Sequence, residues 1–152
     1  TSQSPPSAIL LSRQNLPILS PSYGPGHPAE RGGYVLRDTD GFRAIIVATG
    51  SEVELAVEAA ALLAQKGTPV RVVSLPSWHT FERQDEVYRR SVLPAGVPTV
   101  SVEAGTTLGW QKYADACVGM DRFGSSAPAE ELFERFGFTA ANVAATVETL
   151  LG

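Results

Sequence analysis

The chain has 152 residues, 43% of them hydrophobic and 18% charged, with a formal net charge of −4. That is enough for one ordinary domain with an appended piece, and the composition is that of a water-soluble globular protein. The acidic balance and the lack of any Lys/Arg cluster exclude a nucleic-acid binder. No apolar run approaches the roughly 20 residues of a membrane span, and no basic-then-apolar signal segment opens the sequence. A lone Cys117 excludes a disulfide framework and a cysteine metal site. A cytoplasmic protein is expected.

Residues 1–7 are polar and proline-bearing, as in a loop. Residues 8–11 (AILL) suit a short buried strand, followed at once by SRQNLP (residues 12–17). From 20 to 33 the composition changes to alternating Pro and Gly, the mark of a linker or long surface connection. A strand isolated beyond such a boundary is expected to finish the sheet of another domain, so the chain reads as a fragment. Pairing of that strand with this chain's own sheet would favour a self-contained module instead.

Residues 34–37 form a brief strand closed by Asp38, Asp40 and Gly41. The turn to the next strand is short, so an antiparallel edge strand is expected. Residues 44–48 (AIIVA) are apolar without alternation, the pattern of a strand covered on both faces. Gly50 breaks it, and Ser51 with Glu54 reads as a capping box. The helix behind that box places Val53, Ala56, Val57, Ala60 and Ala64 on one face. Gly67, just after Lys66, is its expected stop. Residues 70–75 return as a strand, completing a right-handed βαβ unit.

Ser77 or Thr80 is expected to cap one helix reaching about residue 92, ended by Pro94 and Gly96. A strand over 97–104, a short helix over 106–114 bearing Trp110 and Tyr113, and a strand over 117–120 follow. Ser126 and Pro128 open a helix capped by a left-handed Gly137, with Phe138 folding back on it. Thr139 starts the last helix, whose apolar stripe is Val143, Val147, Leu150 and Leu151. About five strands alternating with about five helices make a three-layer α/β/α sandwich with the Tyr34 strand at an edge.

Several residues carry chemistry in principle. Thr49-Gly50-Ser51 ends a central strand and opens a helix, where free N–H groups can hold an anion. The dinucleotide fingerprint and the P-loop are both absent, however, and capping accounts for Ser51. Glu103 ends the PTVSVEA strand at the same edge, but no partner acid, nucleophile or ligand lies near it in sequence. Capping near Thr106, or pairing with a basic group, is the plainer role. His27 and His79 lack metal-ligand spacing, and Cys117 suits a small core side chain. Arg13 directly follows the orphan strand at a domain boundary. Its guanidinium fork there suits a phosphate or carboxylate, with a surface salt bridge as the alternative.

The chain resembles transketolase from residue 8 to its end. The matching segments are SRQNLP (12–17), ERGGYVL (30–36), ATGSEVELAVEAA (48–60), VRVVSLP (70–76), SVLP (91–94), SVEAG (101–105), GMDRFG (119–124), SAPAEELF (126–133) and FGFT (136–139). The resemblance implies residues 34–152 as the C-terminal domain, a mixed five-stranded sheet with its first strand antiparallel and helices on both faces. Residues 1–19 would end the upstream pyrimidine-binding domain, with 20–33 as the linker. It implies a homodimeric enzyme of the pentose phosphate pathway, dependent on thiamine diphosphate and Mg (or Ca). That enzyme moves a two-carbon ketol unit from a ketose phosphate to an aldose phosphate, and Arg13 matches the arginine that contacts the substrate phosphate.

The diphosphate-binding GDG…N motif, the glutamate that activates the cofactor and the channel histidines are absent here. Glu103, His27 and His79 match none of them. No catalytic, cofactor-binding or metal residue is therefore expected in this chain, which should be inactive alone. The competing readings are a stand-alone α/β module binding a partner or an anion, and one subunit of a split thiamine-dependent enzyme.

Overall fold

All five residues of the strand Ala44–Ala48 (β2) are buried, as their unbroken apolar run predicts. The computed structural model describes residues 8, 10–12, 14–19 and 26–152. Around β2 stand Tyr34–Arg37 (β1), Val70–Ser74 (β3), Thr99–Val102 (β4) and Ala116–Val118 (β5), in the order β1-β3-β2-β4-β5. β2, β3, β4 and β5 are mutually parallel, and β1 lies antiparallel at the edge. The expected mixed sheet with an antiparallel first strand is thus present. The partner of β1 differs: despite the short turn to β2, it pairs with β3. Asp38, at the exit of β1, takes both arms of Arg71 on β3 at 2.9 Å, and Arg71 stacks on Phe42 at 4.2 Å. That bidentate pair holds the turn across β3, and the fully buried β2 keeps a parallel strand on each side.

The period-2 alternation of strands divides the core in two. Ala44, Ile46, Val72, Val100 and Val102 face the helices Glu52–Gln65 (α1) and Ala140–Leu151 (α5). Ile45, Val47 and Val73 face the other way, onto Phe81, Val92 and Trp110. Helices on both faces complete the three layers. On α1 the buried stripe is Val53, Ala56, Ala59 and Leu63. The expected stripe shared only Val53 and Ala56 with it, and Ala64 faces solvent. The larger Leu63 takes the buried position because it removes more apolar surface from water. Gly67 ends α1 as expected: it has φ +75°, its N–H donates to Ala64 O, and Thr68 N–H donates to Leu63 O at 2.9 Å.

Two expected helices are different. The single helix toward residue 92 is two, Trp78–Glu82 (α2) and Glu86–Val92 (α3). Ser77 caps α2, and the carboxylate of Asp85 accepts Tyr88 N–H at 2.8 Å to start α3 afresh. The helix expected over 106–114 shrinks to a 3-10 turn, Trp110–Lys112, because Gly109 has φ +92° and Asp121 takes the Thr107 N–H. The strands expected over 97–104 and 117–120 are shorter, as β4 and β5. The final hairpin of helices, Ala129–Phe136 (α4) and α5, is present, but Ser126 does not open it: Pro128 is the N-cap residue and no side chain caps α4. Gly137 has φ +82°, Phe138 N–H donates to Phe133 O at 2.7 Å, and Thr139 caps α5.

Ala8, Leu10 and Leu11 lie in no strand, and the two leucines are exposed. The expected strand therefore does not join this sheet at any described residue. Ile9 and Arg13 lie outside the described residues.

Candidate functional site

The parallel strands all end along one edge. β3 and β4 flank β2 on opposite sides, so the direction of crossover reverses at β2. Ligands of open α/β sheets bind in the crevice at such a reversal, outside the carboxyl ends of the strands. Here the crevice lies between the loop after β2, with Thr49, Gly50 and Ser51, and the loop after β4, with Glu103 and Ala104.

Ser51 does not cap α1. Its backbone is already helical, at φ −65° and ψ −29°, and its hydroxyl makes no bond to a helix N–H. The Oγ instead donates to Glu52 Oε1 at 2.6 Å. Glu52, the first residue of α1, is only 5% exposed. Burial pushes its carboxyl above the ordinary range. The Ser51 hydroxyl and the Ala104 backbone N–H oppose that shift, and the negative charge of Glu103 reinforces it. Glu103 does not cap the Thr106 turn, and among the described residues it meets no basic group. Its carboxylate accepts the indole N–H of Trp110, which is 1% exposed. Asp121 serves the Thr106 turn, accepting from Thr106 Oγ1, Thr107 N and Thr107 Oγ1 at 2.6–2.9 Å. Those hydrogen bonds hold its carboxyl below the usual range.

The crevice thus contains two carboxylic side chains and a serine hydroxyl already committed to one of them. That arrangement repels an anion and leaves no nucleophile poised for attack. It clasps the two loops instead. In the sequence Glu52 looks like any first-turn acid suited to the helix dipole. Only the register of α1 against β4 reveals its burial. The Trp110 partner of Glu103 was equally hidden, because the irregular chain of residues 104–109 separates them.

The burial of Glu52 couples its ionisation to folding. Its folded-state pKa is raised, so the stability it contributes is present below the unfolded pKa and is lost as pH rises through the folded value. Glu52→Gln keeps the shape without the titration. Unfolding midpoints of Glu52→Gln relative to the native chain should therefore rise with pH above the ordinary glutamate range. A pH-independent difference would mean that Glu52 titrates normally.

His27 Nδ1 accepts Ala29 N–H at 3.1 Å at the start of the 3-10 turn Pro28–Arg31, edge-on to Tyr34. His79 is exposed on α2, and Cys117 is a half-buried thiol in β5. Among the described residues no three His, Cys, Asp or Glu side chains gather as a metal site. Arg13 lies outside the described residues. A cleft of about 500 Å³ opens beside the crevice, between Leu16 and Ile18 of the entering chain and Tyr34, Ser51 and Ser74 of the sheet edge.

The segment ERGGYVL explains itself sterically. Gly32 has φ +83°, and an added Cβ would stand 2.4 Å from Phe81 N and 2.6 Å from Ser77 O. Gly33 is closed in by Leu75 and Phe81, while its carbonyl accepts the Tyr88 hydroxyl at 2.9 Å. The two glycines let the chain pass against α2 into β1.

A sequence model described as the transketolase-like TK C-terminal domain matches residues 32–139. The chain belongs to this transketolase family. It is 54% identical over 139 residues to transketolase 1 of Saccharomyces cerevisiae, covering 91% of this chain and 20% of that protein. It is 50% identical over 152 residues to transketolase 2 of Escherichia coli, covering 97% and 23%. The chain thus spans about a fifth of the length of the curated relatives it matches.

Solved structures agree. Transketolase from Leishmania mexicana superposes with a TM-score of 0.78 at 48% identity, over 81% of this chain and 18% of that one. The same score, identity and coverage hold for a transketolase of Pichia stipitis in complex with sedoheptulose-7-phosphate. A split-gene transketolase described as an inactive beta4 tetramer scores 0.68 at 25% identity, over 91% of this chain and 48% of that one.

Proposed function

We propose that this chain works as the C-terminal domain of a transketolase of the pentose phosphate pathway. In that enzyme a two-carbon ketol unit passes from a ketose phosphate to an aldose phosphate. The observation that carries the reading is the family match over residues 32–139, made on a sheet that superposes on those of solved transketolases. Residues 34–152 are the domain, 20–33 the linker, and 1–19 the end of the pyrimidine-binding domain before it. The enzyme works in the cytoplasm as a homodimer, with this domain supporting the dimer and the channel for the substrate phosphate. Relatives solved with sedoheptulose-7-phosphate and xylulose-5-phosphate support sugar phosphates as the substrate class.

Thiamine diphosphate, held through Mg or Ca, supplies the carbanion chemistry of such an enzyme when bound. The described residues do not fit that group. They gather no cation site, and the crevice at the sheet edge holds carboxylic groups where a diphosphate would need N–H donors and cations. The cofactor belongs to other parts of the polypeptide, and this chain alone neither binds it nor transfers ketol groups. Ketol transfer by the full-length polypeptide, and none by the 152-residue chain, is the expected result.

Arg13 is the one residue here assigned to substrate. A guanidinium fork binds phosphate oxygens in pairs, and a phosphate far from the reacting carbons orients the rest of the sugar. In the full-length enzyme Arg13→Ala should cost about 1.5–3 kcal/mol, roughly one to two powers of ten in kcat/KM for phosphorylated acceptors. Glycolaldehyde, which has no phosphate, should be nearly unaffected, and lysine should rescue only in part. Equal losses on both acceptors would make Arg13 structural.

A second reading has one observation in its favour. The chain covers 48% of the split-gene transketolase subunit, against 18–20% of the unsplit neighbours from Leishmania mexicana and Pichia stipitis. A short transketolase subunit of this kind would carry the domain on a polypeptide separate from part of the active site. The mass of the parent polypeptide in its source separates the two readings.

A further inference from the structure

Most surface apolar groups on a folded chain are scattered singly. Here they are not. The large apolar side chains exposed among the described residues are Leu10, Leu11, Leu16 and Ile18 of the entering segment, Leu108 after β4, Phe123 after β5, and Val87 alone on α3. Leu16 and Ile18 lie over the ends of β2 and β3, where they share a cleft with Gly50, Ser51, Ser74 and Pro76. Leu108 and Phe123 lie in the loops that follow β4 and β5 at this edge, and those loops are joined to each other by Asp121 and Met120. With the exception of Val87 on α3, the exposed apolar groups thus belong either to the carboxyl edge of the sheet or to the segment that runs into it. The four parallel strands that end there span three strand spacings, about 14 Å.

We infer that this carboxyl edge, with Phe123 and Leu108 at one end and Leu16 and Ile18 at the other, is the surface on which the preceding part of the same polypeptide docks. The inference rests on the transketolase reading, in which such a part exists. Three observations favour this occupant. The entering segment reaches the body of the domain at this edge, where Leu16 and Ile18 share the cleft with Gly50, Ser51 and Ser74, and Leu19 just after them packs against the core. Whatever precedes it is therefore delivered to this side. The curated relatives carry roughly four-fifths of their length outside the region this chain matches, which is ample to cover the edge. The knob at the β5 end is also built in advance. Phe123 is 97% exposed, yet its loop is pinned by the three bonds of Asp121 to Thr106 and Thr107 and by Met120 N–H to Gly105 O at 2.7 Å. Gly119 lets the two loops touch, since a Cβ there would stand 2.6 Å from Thr107. A fixed apolar knob loses little freedom when it is covered, which is what a permanent contact requires. The clasp of Glu52, Ser51, Glu103 and Trp110 holds the middle of the same edge. The surface that meets it is apolar opposite Leu108 and Phe123.

Hydrogen exchange compares the full-length polypeptide with the 152-residue chain. Amides of residues 106–110 and 119–125 should exchange at least about tenfold more slowly in the full-length protein. Phe123→Asp, or Leu108→Ser, should abolish that extra protection while leaving the melting temperature of the short chain unchanged. Val87→Asp, the control on α3, should leave the protection in place. Equal exchange in the two proteins would overturn the inference. Protection in the short chain that grows with its own concentration would overturn it too, in favour of a second copy as the occupant. Wild-type full-length protein that shows the protection but transfers no ketol unit would support the docking surface and remove only the transketolase reading.

Discussion

Gly32→Ala is expected to destabilise the chain by about 2–5 kcal/mol, a large share of a small domain's total stability. Two costs combine. A left-handed backbone at φ +83° costs a residue with a Cβ about 1–2 kcal/mol. The new methyl would also overlap Phe81 N at 2.4 Å and Ser77 O at 2.6 Å, and overpacking of that kind costs about 1–3 kcal/mol. Both nearest atoms are backbone, one inside α2 and one at its cap, so neither can swing aside as a side chain would. Gly41→Ala is the matched control. Its φ is +70° but nothing lies within 4 Å of the added methyl, so only the backbone cost of about 1–2 kcal/mol applies. Urea unfolding of both variants gives the comparison. Equal losses would show that the contact with α2 yields, and that Gly32 matters only for its backbone.

Trp110→Ala should cost about 3–5 kcal/mol, as large aromatic deletions in cores do. The indole is almost fully buried on the Phe81 face of the sheet, edge-on to Trp78 at 4.9 Å and within 6.2 Å of Tyr113. Its N–H is also the partner of Glu103, so the deletion strands a half-buried carboxylate and loosens the loop after β4. Trp110→Phe separates the two effects. It keeps most of the ring packing and removes the donor, so its cost should fall to about 1–3 kcal/mol. In a double-mutant cycle, Glu103→Gln should then cost less in the Trp110→Phe background than in the native one. Strict additivity would show that the indole contributes packing alone and that the clasp is incidental.

The Glu103–Trp110 pair illustrates where a single sequence stops being informative. Glu103 was visible at a strand end, in the right place for a ligand edge, and a capping or basic partner was the natural expectation. Its real partner reaches it through a loop containing Gly109 with φ +92°, and no local rule selects that path. The same holds for Ser51. Ser51 and Glu54 have the spacing of a capping box, but the side chain turns to Glu52 because that carboxyl is buried beneath the loop after β4. A buried carboxyl draws a nearby hydroxyl more strongly than an exposed helix N–H that water can satisfy. Asp85 gave a milder failure. Its side chain competes with the helix backbone, which splits one expected helix into α2 and α3.

By itself the sequence determined the features that depend on neighbours a few residues apart. These are the unbroken apolar run of β2, the glycine stops at Gly67 and Gly137 with Phe138 folded back on Phe133, the Thr139 cap, and the alternation that makes a three-layer α/β/α sandwich. The ordered segments from SRQNLP to FGFT also carried the family, because close steric demands such as those at Gly32 and Gly33 constrain residue identity along the chain. The tertiary structure alone decided which strand β1 joins, which face of α1 is buried, and what Glu52, Glu103 and Asp121 each hold. Those choices depend on groups far apart in sequence that compete for the same buried surface and the same hydrogen bonds. Local propensities differ by only tenths of a kcal/mol to about one per residue, and burial and pairing in the assembled core outweigh them.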